Sequence, residues 1–284
     1  ASMNDVGITV LLAVIGIIIT AILVVKNVKG NILWGILITW ILGIICQLTG
    51  IYVPNAELGM YSLLPDFSNG ISVPSLSPIF AKLSFSGINI GQFMVVVFAF
   101  LFVDIFDTLG TLIGVATKAD MLDEEGRLPG IRPALMADAI ATSFGAVLGT
   151  STTTTFVESA SGVAVGGRTG LTALVSALLF LLSTLFAPIF TAIPSFATAP
   201  ALIMVGFLMV GTVTEIRFDE DNITEAIPAY LAIIAMPLFY SISEGISMGI
   251  ISYVLLNVAA GKAKKITPLM YVLAVLFVLK YIFL

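Results

Sequence analysis

The sequence predicts an all-α, polytopic membrane protein, and three observations carry that reading. Of the 284 residues, 59% are hydrophobic and only 10% charged, with a mean hydropathy of +1.13; a soluble domain is about 45–50% apolar and about 25% charged. The apolar residues fall in runs near the roughly 20 residues that a helix needs to cross about 30 Å of hydrocarbon. Alternating segments of about ten residues, the mark of a transmembrane barrel, are missing, and lipid leaves the backbone only helices or closed barrels. The composition also excludes several function classes. The chain has no His and a single Cys, Cys46, which removes an internal disulfide, Ser-His-Asp and Cys-His catalysis and ordinary zinc sites. A net charge of −5 with no basic stripe argues against nucleic acid as a partner.

Taken in order, the predicted spans are 6–25, 31–49, 92–116, 131–149, 171–190, 197–213, 223–242, 245–260 and 267–284, of which 197–213 and 245–260 are short. Residues 50–91 carry Pro54, Pro65, Pro74 and Pro78 among Gly and Ser; this stretch is too polar and broken to span and reads as a long external loop with some interfacial packing. Lys and Arg orient the spans, since they favour the cytoplasmic side. If 6–25 runs outside to inside, then Lys26, Lys29, Lys118, Arg127, Arg132, Arg168, Arg217, Lys262, Lys264 and Lys265 all face the cytoplasm, and only Lys82 and Lys280 lie outside. The start, Ala1 to Asp5, has no basic segment or cleavage pattern of a secretory signal. The bilayer of a cell membrane, of the bacterial inner type, is therefore the expected surrounding.

Residues 32–37 (Ile-Leu-Trp-Gly-Ile-Leu) resemble 246–251 (Ile-Ser-Met-Gly-Ile-Ile), at an offset of 214 and in opposite predicted orientations. Similar segments of opposite orientation are what inverted-repeat transporters contain. At that offset the partner of span 92–116 falls before Ala1, so roughly 120 residues of a first repeat are expected ahead of this sequence.

Ionisable groups within a bilayer are costly and usually face a cavity or a partner. Four acids qualify: Asp104, Asp107, Asp138 and Glu158. For Asp138 an interhelical or helix-end hydrogen bond is the plainer reading. Asp104 and Asp107 are three apart and share a helix face, with Thr108 and Thr111 on adjoining positions. Two carboxylates this close resist double ionisation, which suits one of them to take up and release a proton as a substrate binds. The plainer alternative is an Asp that buttresses a neighbouring helix. Beyond span 131–149, five of the six residues 150–155 are Thr. Such a run favours extended backbone, and at membrane depth extended backbone survives only when buried in protein or lining a cavity. From Ser159 to Gly166-Gly167, small residues suit a short half-helix, its N-terminus open to substrate carbonyls or anionic groups, with Glu158 at the junction able to accept from a ligand N–H. A Thr-rich surface loop with Glu158 as a plain cap is the alternative.

The run Phe102-Val-Asp-Ile-Phe-Asp-Thr-Leu-Gly-Thr-Leu-Ile-Gly-Val-Ala116, then Ala137-Asp-Ala, then Thr150-Ser-Thr-Thr-Thr-Thr-Phe-Val-Glu-Ser-Ala-Ser-Gly162 resembles the AzgA-like purine permeases of the xanthine/uracil permease (nucleobase–ascorbate transporter) superfamily, over essentially the whole chain. The resemblance implies inverted repeats of seven spans each, divided into core and gate domains, with a short strand near the midplane followed by a half-helix in each repeat. On that reading residues 1–49 are gate helices of an incomplete first repeat, 50–91 an external loop, 92–190 the core of the second repeat and 191–284 its gate helices. Residues 150–157 match the strand and 158–165 the half-helix. The family's first-repeat strand and its Asn-bearing motif are expected before Ala1.

The resemblance further implies import of a purine nucleobase, hypoxanthine or guanine first, by proton symport, with protons as the coupling ion and no cofactor or metal. Asp107 and Glu158 would meet the purine N–H groups, and Asp104 would assist binding or coupling, so that these three acids share the proton. Thr111 and Ser159 are weaker lining candidates, and Phe156 or Phe106 would stack on the ring or simply pack. A homodimer fits the same reading. The alternatives are an adenine or xanthine/uracil permease of the same fold, an anion channel or exchanger, and, more remotely, an intramembrane enzyme using Asp104 and Asp107. An aspartyl protease needs its two Asp on separate helices and a prenyl transferase needs richer acidic clusters; neither pattern is present.

Overall fold

A computed structural model of the protein describes residues 7–283 other than 69, 71, 72 and 85. Eleven α-helices follow one another among the described residues: α1 (Ile8–Val25), α2 (Asn31–Leu48), α3 (Ile90–Lys118), α4 (Ile131–Leu148), α5 (Ser159–Ala164), α6 (Gly170–Ser183), α7 (Ala187–Ala192), α8 (Ser195–Met209), α9 (Ile223–Leu238), α10 (Ile242–Ala259) and α11 (Pro268–Phe283). Every predicted span lands on helix; residue 6 of the first and residue 284 of the last lie outside the described residues. Among the described residues six stretches are long and apolar enough to cross a membrane, one of them Gly170–Ala192 taken as a whole, while Ser195–Met209, Ile223–Leu238 and Pro268–Ile282 are shorter. The protein is a multi-pass, all-α membrane protein.

The boundaries follow local chemistry. α3 starts two residues early because Asn89 accepts hydrogen bonds from the N–H groups of Gly91 and Gln92, at 3.0 and 3.3 Å, a side-chain cap for the first turn. The expected single span 171–190 is interrupted by a 3₁₀ turn, Thr184–Phe186. Pro188 has no N–H for the Thr184 carbonyl four residues back, and Ala187 N–H closes a tighter turn onto it instead. Span 197–213 is α-helical only to Met209 and then tightens to a 3₁₀ segment, Val210–Glu215. Span 223–242 stops at Leu238: Tyr240 takes a left-handed φ of 52°, and Ser241 caps α10 by accepting from Glu244 N–H at 3.3 Å, so α10 begins three residues before the expected 245.

The first packing unit joins α1, α2 and α8. Ile8, Leu12, Gly16 and Thr20 are the buried stripe of α1, and Gly35, Thr39, Trp40 and Gly43 that of α2. Gly16 lies against Thr39 and Pro200, and Gly35 lies against Thr20, so closely that a Cβ on either glycine would collide. Each threonine hydroxyl donates to its own helix: Thr20 to Gly16 O and Thr39 to Gly35 O, both at 2.7 Å. Small residues let helices approach within van der Waals contact, which is what binds helices in lipid.

The first part of the predicted external loop closes this unit. Tyr52, Met60 and Leu63 are buried with Trp40 and Phe196. Trp40 Nε1 donates to Leu63 O at 3.0 Å, and Leu63 N donates to Gln47 Oε1 at 2.8 Å. Tyr52 donates its hydroxyl to Tyr61 O at 2.8 Å, and burial pushes that phenol's pKa up. In the second unit, Ile250 and Val254 of α10 meet Leu273, Ala274 and Phe277 of α11, and Phe102 and Phe106 of α3 pack onto them, with the Phe102 and Phe277 ring centres 5.6 Å apart.

Candidate functional site

The sequence gives α3 one polar edge, with Asp104, Asp107, Thr108 and Thr111, and α4 another, with Asp138 and Thr142. The segment that follows α4 brings the two edges together. Gly149, at φ 81°, turns the chain as only glycine does without strain, and the amides of Gly149 and Thr150 close the helix end onto Ala146 O and Gly145 O. From there residues 150–156 run without helix or strand.

Threonine hydroxyls tie this segment to both helices. Thr152 donates to Asp104 Oδ1 at 2.7 Å. Thr108 lies 2.8 Å from Thr154 Oγ1 and donates to Asp138 Oδ2 at 3.3 Å. Thr142 stands 2.9 Å from Thr152 Oγ1 and donates to Thr153 O at 3.3 Å. Two branches result: Asp104–Thr152–Thr142 on one side and Asp138–Thr108–Thr154 on the other. Thr108 is 1% exposed, while the three aspartates are half-buried.

The strand expected at 150–157 is not formed among the described residues. A strand needs a partner ladder, and no described residue pairs with this segment in one; side-chain hydroxyl and carboxylate bonds from α3 and α4 hold it in place. The consequence for its backbone is direct: the N–H groups of residues 151–157 donate to no described residue. Backbone donors in a low-dielectric setting demand partners, so this is a row of donors open to a ligand or another chain segment.

The half-helix is present but short. α5 has six residues rather than the eight expected over 158–165, and it packs against α3 and α8 with Ala160 fully buried. Its C-terminus is held by Arg168, whose guanidinium donates to Val163 O at 2.7 Å, and by Gly167 N–H on Gly162 O at 2.9 Å. Arg168 entered the sequence reading only as a marker of the cytoplasmic face; cations at helix C-termini are favoured, and that was the signal for this second role.

The other predicted residues divide. Glu158 precedes α5; its carbonyl accepts from Ser161 N and Oγ, and its carboxylate, like that of Asp107, takes no hydrogen bond from a described residue. Asp107 stands within electrostatic reach of Asp104 and Asp138. Thr111 is buried, and Ser159 and Phe156 are exposed. Phe106 turns away from the segment and lines an apolar cleft of about 390 Å³ with Pro228, Ala232, Ile246, Gly249 and Tyr253; none of the four acids lines it. Asp138 makes the interhelical bond expected of it, and through Thr108 it also joins the segment. Among the described residues no three His, Cys, Asp or Glu side chains cluster to hold a metal.

Sequence comparison supplies the context for this geometry. The family model described as "Permease family" (Xan_ur_permease) matches residues 1–248. Two guanine/hypoxanthine permeases of Bacillus subtilis are 45% and 44% identical, over 97% and 94% of this chain. An adenine permease of Escherichia coli is 37% identical over 97% of it. The aligned region is 59%, 59% and 58% of those relatives' own lengths, so the chain spans somewhat under two thirds of the proteins it matches.

Proposed function

The chain belongs to the permease family, and from that premise we propose that it serves the import of a purine nucleobase, hypoxanthine or guanine first, in symport with protons. The observation that carries this reading is the open segment 151–157, whose amides have no described acceptor, which bonds Asp104 directly and Asp138 through Thr108, and which leads into Glu158. A purine edge alternates donors and acceptors, so it needs both kinds of partner in a mostly apolar setting. Backbone N–H groups of the segment suit the purine carbonyl and ring nitrogens. Asp107 and Glu158, with unengaged carboxylates, suit its N–H groups. The relatives' names, guanine/hypoxanthine and adenine permease, support the substrate class.

In this reading Asp104 and Asp138, already engaged by threonines, hold the segment in place and share the coupling proton with Asp107 and Glu158. Residues 92–190 act as the core that carries the substrate and 191–284 as the helices against which it moves, in the alternating-access manner of inverted-repeat transporters. Phe156, exposed within the segment, is the aromatic side chain suited to cover a ring face; Phe106 is occupied by packing.

The test is uptake of radiolabelled hypoxanthine by cells devoid of purine permeases that express the full reading frame containing this chain. Uptake is measured at two external pH values, with unlabelled adenine, guanine and uracil as competitors and Glu158→Gln alongside. The expected result is uptake that rises at acid pH, is competed by guanine and is lost in Glu158→Gln. A well-expressed protein that takes up no purine overturns the reading, and electrical flux without a proton requirement would replace it with a channel.

A further inference from the structure

α9 carries two prolines inside its helical span, Pro228 and Pro237. A proline in a helix cannot donate to the carbonyl four residues back, so Pro228 leaves the carbonyl of Thr224 without its helical partner. In lipid such a carbonyl must be satisfied from elsewhere. The structure supplies a donor from the neighbouring helix. Asn257 of α10 is fully buried, and its Nδ2 donates to Thr224 O at 3.2 Å and to Tyr253 O at 2.9 Å. Its own Oδ1 is buried with no hydrogen-bond partner among the described residues. A buried amide whose acceptor half is unused is retained for its donor half, since an unpaired buried oxygen is a cost with no return.

We propose that Asn257 stands in for the backbone donor that Pro228 lacks, and so joins α9 to α10 at their cytoplasmic ends and makes the two helices move as one piece during transport. The joint stands on the geometry alone; the movement rests on the transport reading. More exposed contacts lie around the joint. Lys262 Nζ donates to Thr224 Oγ1 at 3.4 Å, and Lys265 pairs with Glu225. Along the same interface Gly249 admits Ala232 and the Pro228 carbonyl. Asn257 touches none of the acids or threonines of the candidate site, so it is a positioning residue.

The chemistry predicts a specific rescue. Pro228→Ala restores a backbone N–H to Thr224 O and makes the Asn257 donor dispensable, whereas Pro237→Ala supplies one to a different carbonyl, that of Ile233, and does nothing for Thr224 O. The experiment uses the full reading frame carrying Asn257→Leu, Pro228→Ala, and Asn257→Leu combined with either Pro228→Ala or Pro237→Ala. Hypoxanthine uptake is resolved into KM and maximal rate, and the purified proteins are melted. Asn257→Leu should lower the maximal rate about tenfold, the size of a lost buried hydrogen bond, with KM changed less than about twofold. Addition of Pro228→Ala should return the rate to within about threefold of wild type, and addition of Pro237→Ala should not.

A wild-type rate in Asn257→Leu, no rescue by Pro228→Ala, or equal rescue by Pro237→Ala overturns the proposal. If Asn257→Leu does not fold, a folded double variant with Pro228→Ala upholds the joint and an unfolded one overturns it. If the wild type itself takes up no purine, the transport reading fails separately, and recovery of the melting temperature by Pro228→Ala alone decides whether the joint exists.

Discussion

Threonine is used in two opposite ways in this molecule. In the α1–α2–α8 unit, Thr20 and Thr39 return their hydroxyl hydrogens to their own helices, at Gly16 O and Gly35 O, and pack both the hydroxyl oxygen and the methyl group of each against the facing glycine. Nothing polar is left over, and the helices close to backbone contact. Between α3 and α4, Thr108, Thr142, Thr152 and Thr154 send their hydroxyls across to other elements and hold an irregular segment whose amides stay free. The first arrangement makes a joint with no spare hydrogen-bonding capacity. The second spends the same side chain on keeping backbone donors and carboxylates available, which is what a site for a polar ligand requires.

Substitutions can break this contrast, and the largest effect belongs to the joint. Gly35→Leu forces a branched side chain into Thr20; it should cost about 3 kcal/mol, the upper range for overpacking, seen as a lower melting temperature and reduced folded yield. A wild-type melt would show that the helices can separate without penalty. On the site side, Asp138→Asn weakens a charge-assisted bond from Thr108 and should lower maximal purine uptake on the order of thirtyfold while the protein still folds. Unchanged uptake would confine Asp138 to helix packing.

Two isosteric exchanges then sharpen the comparison. Thr108→Val removes the one hydroxyl shared by Asp138 and Thr154 and should raise KM about fivefold with little change in melting temperature. Thr20→Val removes a hydroxyl that only bonds its own helix; it should shift stability by less than about 1 kcal/mol and leave uptake unaltered. If both valine variants behaved alike, the distinction between the two uses of threonine would fail.

The positions of these two regions were legible in the sequence to different depths. The nine apolar runs show because lipid demands long uninterrupted hydrophobicity, and the run at 150–155 shows because five threonines do not make a lipid-facing helix. What the threonines bond is not legible, since it depends on how α3 and α4 face each other across 30 residues of sequence. Boundaries failed where a single residue outweighed hydrophobicity. The left-handed Tyr240 and the Ser241–Glu244 cap end α9 before the expected 242 and start α10 before the expected 245, and Pro188 breaks a span that its neighbours would have continued.

Some pairings lie wholly beyond sequence reading. Glu244 and Lys280, 2.6 Å apart and each 23% exposed, sit 36 residues from one another, and neither drew attention as half of an ion pair. The expected strand is the converse case: local propensity favoured it, but strands are a property of pairs of segments, and propensity describes one segment at a time.

Thr108 has one hydrogen to give. With Asp138 ionised, that hydrogen points to the carboxylate, and Thr154 must supply the hydrogen for the contact between the two threonines. With Asp138 protonated, the acid becomes the donor and the Thr108 hydrogen is released toward Thr154, whose own hydrogen is then free to point elsewhere. The oxygen atoms need not move for this reversal. The direction of the hydroxyl chain that begins at Asp138 on α4 therefore decides which oxygens of the irregular segment give and which receive, and a molecule bound there would meet an acceptor in one arrangement and a donor in the other.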